Sequence, residues 1–303
     1  MTKVPLLRTK ETQMFEAKEE TVAGGGGALF FRSWRGSSKP RAILAICPGF
    51  NSHGGYYSWV GTQSAAAGYA TYAVDLRGRG KSEGERFFVE TFDQYVADLH
   101  TVVTLARKRD PAAPLFLLGH SAGGVVCCLY ALDHAAAVAG FICEDFAFEV
   151  PAPDFALAVL KGLSHVAPHA HSLTLKNVDF SRDAQVVAAM NRDPLIAGES
   201  QPFATAAAIV RADERLKREI PSIETPLFIL HGTADKAAKP SGSQHLYERT
   251  GSKDKTLKLY EKRYHDPLND LGKEEVMADI LGWLDQRAPS HRDLATAQGE
   301  LES

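Results

Sequence analysis

Cysteine is scarce in this sequence, and its pattern argues against two classes of protein. The 303 residues include four cysteines, all within apolar runs and without metal-ligand spacing: Cys47, Cys127, Cys128 and Cys143. Neither a disulfide framework nor a cysteine-based metal site fits this set. We expect four buried thiols in a protein of a reducing compartment.

The chain also lacks a charge excess and a long apolar run. Lysine and arginine number 34 against 37 aspartates and glutamates, for a formal net charge of −3. Without a basic field we expect no nucleic-acid partner. No apolar run approaches the roughly 20 residues that cross a bilayer, and residues 1–20 are charged where a signal peptide would be apolar. These features predict a cytoplasmic protein that starts near Met1.

Short apolar runs alternate with helical patterns along the chain. The predicted strands are Ala42–Cys47, Tyr69–Val74, Pro114–Leu118, Gly140–Cys143, Pro226–Leu230 and Thr256–Tyr260. The predicted helices between them are Tyr57–Ala67, Thr91–Lys108, Ala122–His134, Gly242–Thr250 and Lys273–Arg287. Ahead of these, Phe15–Val22 and Ala28–Trp34 flank a glycine run and predict an edge hairpin. The pattern predicts an α/β fold with a mainly parallel central sheet and helices on both faces.

The alternation of strands and helices is interrupted at residues 146–220. This interval holds no clean buried strand, and its helix-like pieces are Asp154–Val166, Ser181–Asn191 and Gln201–Arg218. An insertion at the carboxyl edge of an open α/β sheet, where ligands bind, indicates a helical lid, although helices that merely cover the sheet fit the same pattern. The predicted domains are therefore a core of residues 1–145 and 221–287, the lid 146–220 and a polar tail 288–303.

The segment from Gly119 to Gly123 predicts a nucleophile elbow. A serine between two glycines, after an apolar strand and before a helix, stands on a tight turn that only small neighbours permit. Ser121 is therefore the candidate nucleophile. The following amide, that of Ala122, lies at a helix N-terminus where it can face a developing oxyanion.

A serine hydroxyl needs a base and an acid that orients the base, and both follow later in the chain. Asp235 lies on a turn past the strand Pro226–Leu230, and His265 follows the strand Thr256–Tyr260. We predict Asp235 as the acid and His265 as the base. Glu144 and Asp145, at the end of another strand, are alternatives for the acid.

The second oxyanion donor is expected from the loop after the strand Ala42–Cys47. This loop is rich in glycine, and the Phe50 amide can pair there with the Ala122 amide. No metal or cofactor is predicted. A cluster of histidines, His165, His169 and His171, lacks the carboxylate or cysteine ligands that would complete a zinc site.

Six motifs in this order resemble the monoacylglycerol lipase branch of the α/β-hydrolases. They are PGFNSHGGYY at Pro48–Tyr57, DLRGRGKSEGER at Asp75–Arg86, GHSAGG at Gly119–Gly124, DPLI at Asp193–Ile196, HGTAD at His231–Asp235 and KTLKLYEKRYH at Lys255–His265. The resemblance implies a Ser121, Asp235, His265 triad, oxyanion amides of Phe50 and Ala122, and an acyl ester held under a lid. The chain departs from the family pattern at Pro48, at Ala122, and at Glu144–Asp145, where a Ser-Pro pair is usual.

The predicted activity is hydrolysis of a carboxylic ester of the monoacylglycerol type. The alternatives are a lysophospholipase, a carboxylesterase for small or aromatic esters, a prolyl-type aminopeptidase and a non-catalytic binding module that uses the same pocket. Glu144 or Asp145 could bind the α-ammonium of a peptide substrate. Phe146, Leu160 and Leu163 belong to a dense apolar set that we expect to line an acyl channel, with contact to a micelle or membrane surface as the alternative.

Overall fold

A mixed eight-stranded sheet forms the centre of the computed structural model, which describes residues 15–148 and 153–290. The strands are β1 Lys18–Gly24, β2 Gly27–Trp34, β3 Ala42–Cys47, β4 Tyr69–Val74, β5 Leu115–His120, β6 Gly140–Glu144, β7 His171–Leu173, β8 Gln201–Pro202, β9 Leu227–Gly232 and β10 Lys255–Tyr260. The sheet order is β1-β2-β4-β3-β5-β6-β9-β10, and β7 and β8 form a separate two-stranded ribbon. The first two pairings, β1 with β2 and β2 with β4, are antiparallel, and the others are parallel.

Eight α-helices accompany the strands in the described part of the chain. They are α1 Ser58–Ala66, α2 Phe92–Arg109, α3 Ala122–Asp133, α4 Asp154–Val166, α5 Ala184–Arg192, α6 Phe203–Glu219, α7 Pro240–Arg249 and α8 Lys273–Asp285. No helix among residues 15–148 and 153–290 is both long and apolar enough to span a membrane.

The central strands are buried on both faces, which explains their continuous apolar sequences. One face packs a large cluster against α2 and α3, and the other packs a second cluster against α1 and α8. Each of β3, β4, β5, β6 and β9 is buried along its whole length. The predicted α/β fold, with a mainly parallel central sheet and helices on both faces, is confirmed.

Strands β5, β6 and β9 extend beyond their predicted ends. They finish at His120, Glu144 and Gly232 because the parallel ladder continues to that edge. Polar side chains are thereby carried to the carboxyl edge of the sheet, beside the first residue of α3.

Helices α4, α5 and α6 and the ribbon lie between β6 and β9 in the chain, and we call residues 153–220 the cap. Helix α6 packs on α3 and α4, so it joins the cap to the core. The sequence missed the ribbon, whose strand β7 is exposed and three residues long. Of the predicted tail, residues 291–303 lie outside the described part of the chain.

Candidate active site

Ser121 stands on a strained turn between β5 and α3. Its backbone has φ 55° and ψ −120°, a conformation that residues with a Cβ rarely adopt. Both flanking glycines are required by close packing: a Cβ on Gly119 would lie 2.4 Å from the Gly123 carbonyl oxygen, and one on Gly123 would lie 2.0 Å from the Cys47 carbonyl oxygen. The Ser121 amide donates to the Glu144 carbonyl at 2.8 Å, which fixes the turn against β6.

Ser121, His265 and Asp235 form one hydrogen-bonded chain. The Ser121 Oγ lies 2.8 Å from His265 Nε2, and His265 Nδ1 lies 2.7 Å from Asp235 Oδ2. The three side chains are 4% exposed or less. This arrangement lets the hydroxyl donate to a neutral imidazole whose other nitrogen donates to a carboxylate, which is the geometry of an activated nucleophile.

Asp235 is held by backbone as well as by side chains. Its Oδ1 accepts from the amides of Ala237 and Ala238 at 2.7 and 3.0 Å. Burial alone would raise the pKa of Asp235, but His265, His231 and the Ala238 amide together hold that pKa below its usual range. The carboxyl is therefore ionised when it faces His265.

The loop that carries His265 is attached to the turn that carries Asp235. The Ala234 amide donates to the Arg263 carbonyl at 3.0 Å. A Cβ on Gly232 would lie 2.5 Å from that same carbonyl oxygen, so only glycine allows the two loops to approach this closely. The 2.7 Å distance between the acid and the base depends on this contact.

His120 supports the loop that carries His265, a role that the sequence did not indicate. His120 Nε2 donates to the His265 carbonyl oxygen at 2.8 Å, and its own Nδ1 is buried without a hydrogen-bond partner. Burial lowers the pKa of His120, so the ring stays neutral and its Nε2 keeps the proton. The sequence shows that His120 lies between the strand and the nucleophile. It does not show that His120 is hydrogen-bonded to His265, 145 residues later.

The cap also contacts the base. Phe180 lies edge-on to the rings of both His120 and His265, with centroid distances of 6.3 and 4.9 Å. The Asp266 amide donates to the Phe180 carbonyl at 2.9 Å. The cap therefore contacts the imidazole of His265 directly.

The two predicted oxyanion amides lie on adjoining segments. A Cβ on Gly49 would lie 2.9 Å from Ser121 Cβ and 3.4 Å from the Ala122 nitrogen, so the loop before Phe50 touches the elbow. The Ala122 amide is in the first turn of α3, where amides have no acceptor within the helix. Next to Phe50, Asn51 donates to the Leu175 carbonyl at 3.2 Å, which links this loop to the cap.

Glu144 and Asp145 are fully buried, and their contact with substrate stays a prediction. Glu144 Oε1 accepts from the Leu268 amide at 2.9 Å, and Asp145 Oδ1 accepts from the Gly232 amide at 3.0 Å. Both carboxyls point into the protein beneath the loops of the base and the acid. The sequence placed them correctly at a strand end but could not show which way they point.

The apolar set predicted to line a channel divides into two groups. Phe146 is buried and stacks on Phe148 with centroids 5.3 Å apart. Leu160 is half-buried, whereas Leu163 is 38% exposed. Leu163 is exposed on α4, and its place in the wall of an acyl channel stays a prediction.

One group of side chains has the spacing of metal ligands among the described residues. Ligand atoms of Asp145, Asp235 and His265 all lie within 4.8 Å of one another. His265 Nδ1 and Asp235 are already hydrogen-bonded to each other, so two of the three potential ligands serve the serine instead.

Comparison with known proteins agrees with this geometry. Residues 38–272 match the family described as "Serine aminopeptidase, S33". The chain belongs to this family. It is an enzyme, a serine ester hydrolase with the α/β-hydrolase fold.

The relatives of this serine hydrolase include lipases from bacteria and mammals. It is 30% identical to a monoacylglycerol lipase of Mycolicibacterium smegmatis over 88% of this chain and 96% of the relative. It is also 30% identical to the human monoglyceride lipase, over 92% and 94% of the two chains. The crystal structure of the Paleococcus ferrophilus monoacylglycerol lipase superposes with a TM-score of 0.77 at 26% identity, over 86% of this chain and 99% of that one.

Proposed function

We propose that the protein hydrolyses a monoacylglycerol with Ser121 as nucleophile, His265 as base and Asp235 as acid. The observation that carries the proposal is the unbroken hydrogen-bonded chain from the Ser121 hydroxyl through the His265 ring to the Asp235 carboxylate. The names of the relatives support the substrate class.

The proposed reaction begins with attack on the ester. Ser121 Oγ bonds to the carbonyl carbon while its proton passes to His265 Nε2, and Asp235 stabilises the imidazolium. The negative charge moves to the former carbonyl oxygen, which the Phe50 and Ala122 amides bind. One such donor contributes about 3–4 kcal/mol to the transition state.

Collapse of this intermediate breaks the bond to the alcohol oxygen, which takes the proton from His265 and leaves as glycerol. Water then attacks the acyl-enzyme while His265 accepts one of its protons. The second collapse releases the fatty acid and returns the proton to Ser121. The proposed reaction consumes the ester and water, and it needs no redox partner.

The outer face of the cap supports contact with a lipid surface. Phe155, Val159, Leu163 and Val166 follow one another along α4 and are 73%, 56%, 38% and 83% exposed. Large exposed side chains in a row are rare on a surface that only water covers. We propose that this row, the outer stripe, rests on a micelle or membrane from which the substrate is taken.

A peptidase activity has less support from the structure. Recognition of a free α-ammonium needs a carboxylate that a substrate can reach, and the two candidates, Glu144 and Asp145, are 0% exposed. The cytoplasmic location stays a prediction from the sequence, supported by four buried cysteine thiols.

A hydrolysis panel tests the proposal. The purified protein and the Ser121→Ala variant are assayed on a monoacylglycerol, a lysophospholipid, p-nitrophenyl esters of graded chain length, an aromatic ester and an aminoacyl anilide. We expect the highest kcat/KM for the monoacylglycerol and none of these activities in the variant. A higher kcat/KM for the anilide or the aromatic ester would reject the substrate assignment.

A further inference from the structure

A second aspartate lies directly behind the proposed catalytic acid. Strands β6 and β9 pair in parallel with Glu144 opposite Leu230, so Asp145 follows its strand at the turn that leads to Asp235. The Asp145 amide donates to the Leu230 carbonyl at 2.9 Å, and its Oδ1 accepts from the Gly232 amide at 3.0 Å. These two bonds hold the carboxyl against the neighbouring strand.

The carboxyl of Asp145 lies close to both members of the acid–base pair. One ligand atom each from Asp145, Asp235 and His265 falls within 4.8 Å of the others. The Asp145 backbone has φ 45°, a left-handed conformation that costs energy in a residue with a Cβ. This strained residue brings a second carboxyl next to the first.

The groups that face Asp145 come from three segments. Asp235 and His231 come from β9 and the turn after it, His265 from the loop after β10, and Glu144 from its own strand. His231 Nε2 lies 3.0 Å from Asp235 Oδ2 and 3.5 Å from Asp145 Oδ1, while its Nδ1 is hydrogen-bonded to Ser243 Oγ at 2.7 Å. In the described part of the chain, no lysine or arginine is ion-paired with either aspartate.

Two carboxyls this close and this deeply buried cannot both be ionised without a large cost. Asp235 is the ionised one, because it accepts from two amides and from His265. Burial and the charges of Asp235 and Glu144 raise the pKa of Asp145 well above its usual range. Asp145 Oδ2 is buried and has no N–H or O–H donor to accept from among the described residues, so it is the oxygen that can carry a proton and donate it.

We propose that Asp145 is a positioning residue that holds a proton beside Asp235 and takes over as the anion behind His265 when Asp235 is lost. In the intact enzyme the Asp145 hydroxyl donates to the Asp235 carboxylate and keeps it oriented. When Asp235 is replaced, Asp145 gives up that proton to solvent and accepts the hydrogen bond from His265 Nδ1. The inference rests on the proposed triad.

A double-mutant cycle tests this relationship. The kcat and KM for a water-soluble short-chain p-nitrophenyl ester are measured for the unmodified protein, Asp145→Asn, Asp235→Ala and the double variant. Loss of the charge-assisted bond should lower kcat about 3–10-fold in Asp145→Asn. Asp235→Ala should lower kcat about 100-fold, less than the roughly 10⁴-fold that loss of a correctly oriented acid costs. The double variant should lose at least about tenfold more than the product of the two single losses.

The pH profile separates this role from a merely structural one. In Asp235→Ala the residual kcat should rise with pH more steeply than in the double variant, because a carboxyl with a raised pKa ionises only as the pH increases. Circular dichroism checks that all variants are folded. The proposal would be overturned if the loss of kcat in the double variant equals the product of the two single losses, or if Asp235→Ala and the double variant have identical pH profiles.

Glu144 supplies a matched control for the cycle. It is the neighbouring residue, it is equally buried and it carries the same group, but its carboxyl binds the Leu268 amide. Glu144→Gln and Asp235→Ala should therefore combine multiplicatively. A failure of the triad itself would appear separately, as hydrolysis by folded Ser121→Ala or His265→Ala.

Discussion

The floor of the site, formed by Ser121, Asp235 and His265, differs from the outer stripe of the cap in the exposure of its side chains. At the floor, the side chains of Ser121, Asp235 and His265 are buried and each functional atom has a defined partner. On the cap, Phe155 and Val166 are 73% and 83% exposed and touch mainly solvent. The contacts of the floor are made within the protein, whereas we propose that the stripe makes its contacts with a lipid surface.

This difference separates two contributions to turnover. The floor determines the rate of the chemical step, because every contact there orients a reacting group. In our proposal, the stripe determines how readily a lipid substrate is reached, because each exposed apolar group gains free energy when it leaves water. Substitutions in the two regions should therefore affect different kinetic constants.

Loss of the base should have the largest effect. His265→Ala removes the acceptor of the Ser121 proton, and we expect kcat to fall by about 10⁴-fold or more, for soluble and for micellar substrates alike. The measurement is steady-state hydrolysis with thermal unfolding as the check on folding. A loss confined to micellar substrate would show that the floor and the stripe are not separable in this way.

An added methyl group at Gly49 should have the next largest effect. The Cβ of Gly49→Ala would lie 2.8 Å from the His120 carbonyl oxygen and 2.9 Å from Ser121 Cβ, so the loop with the Phe50 amide must move. We expect kcat to fall about 100-fold or more with little change in KM, as when one oxyanion donor is lost.

Gly162 in α4 is the matched control for Gly49. A Cβ there meets no atom within 4 Å, so Gly162→Ala should leave kcat unchanged and stabilise the helix by up to about 1 kcal/mol. Equal losses of kcat in the two alanine variants would contradict the assignment of the Phe50 loop.

Charges on the outer stripe should have a smaller effect, visible only with lipid. We expect Phe155→Asp combined with Val166→Asp to lower kcat/KM for vesicle-bound monoacylglycerol about tenfold relative to kcat/KM for a short soluble ester. Leu259→Asp, at a 38% exposed apolar residue on β10, is the control and should not change this ratio. An equal loss on both substrates would indicate that the stripe lines the acyl channel.

The smallest effect concerns stability at the floor. Burial, and then the charge of Asp266, raise the pKa of Glu144. The native state therefore binds this proton more tightly than the unfolded state, and stability is lost as the pH rises above the unfolded pKa of about 4.3. Glu144→Gln should increase the free energy of unfolding at pH 8 more than at pH 4.5, by urea denaturation. A gain of equal size at both pH values would show that Glu144 is not a source of this pH dependence; the exposed Glu224→Gln is the control.

The sequence predicts the sheet and the members of the proposed triad well, because both leave local patterns. Buried parallel strands read as apolar runs, and Ser121, Asp235 and His265 each follow such a run within a few residues. The structure brings the three together at 2.7–2.8 Å.

Contacts between distant segments leave no such pattern. His120 supports His265 across 145 residues, and Asp145 faces Asp235 only because β6 and β9 are neighbours in the sheet. The apolar residues of α4 are evident in the sequence, but the side they face depends on where α6 packs. Strand order and helix orientation are set by the whole fold, so these features needed coordinates.

Covalent labelling of the nucleophile tests the central claim most directly. The folded protein is treated with a fluorophosphonate, digested and analysed by mass spectrometry, with Ser121→Ala treated in parallel. We expect one equivalent of label on the peptide that contains Ser121, loss of hydrolysis in step with labelling, and no label on the variant. Stoichiometric labelling of another residue, or full ester hydrolysis by folded Ser121→Ala, would contradict the account.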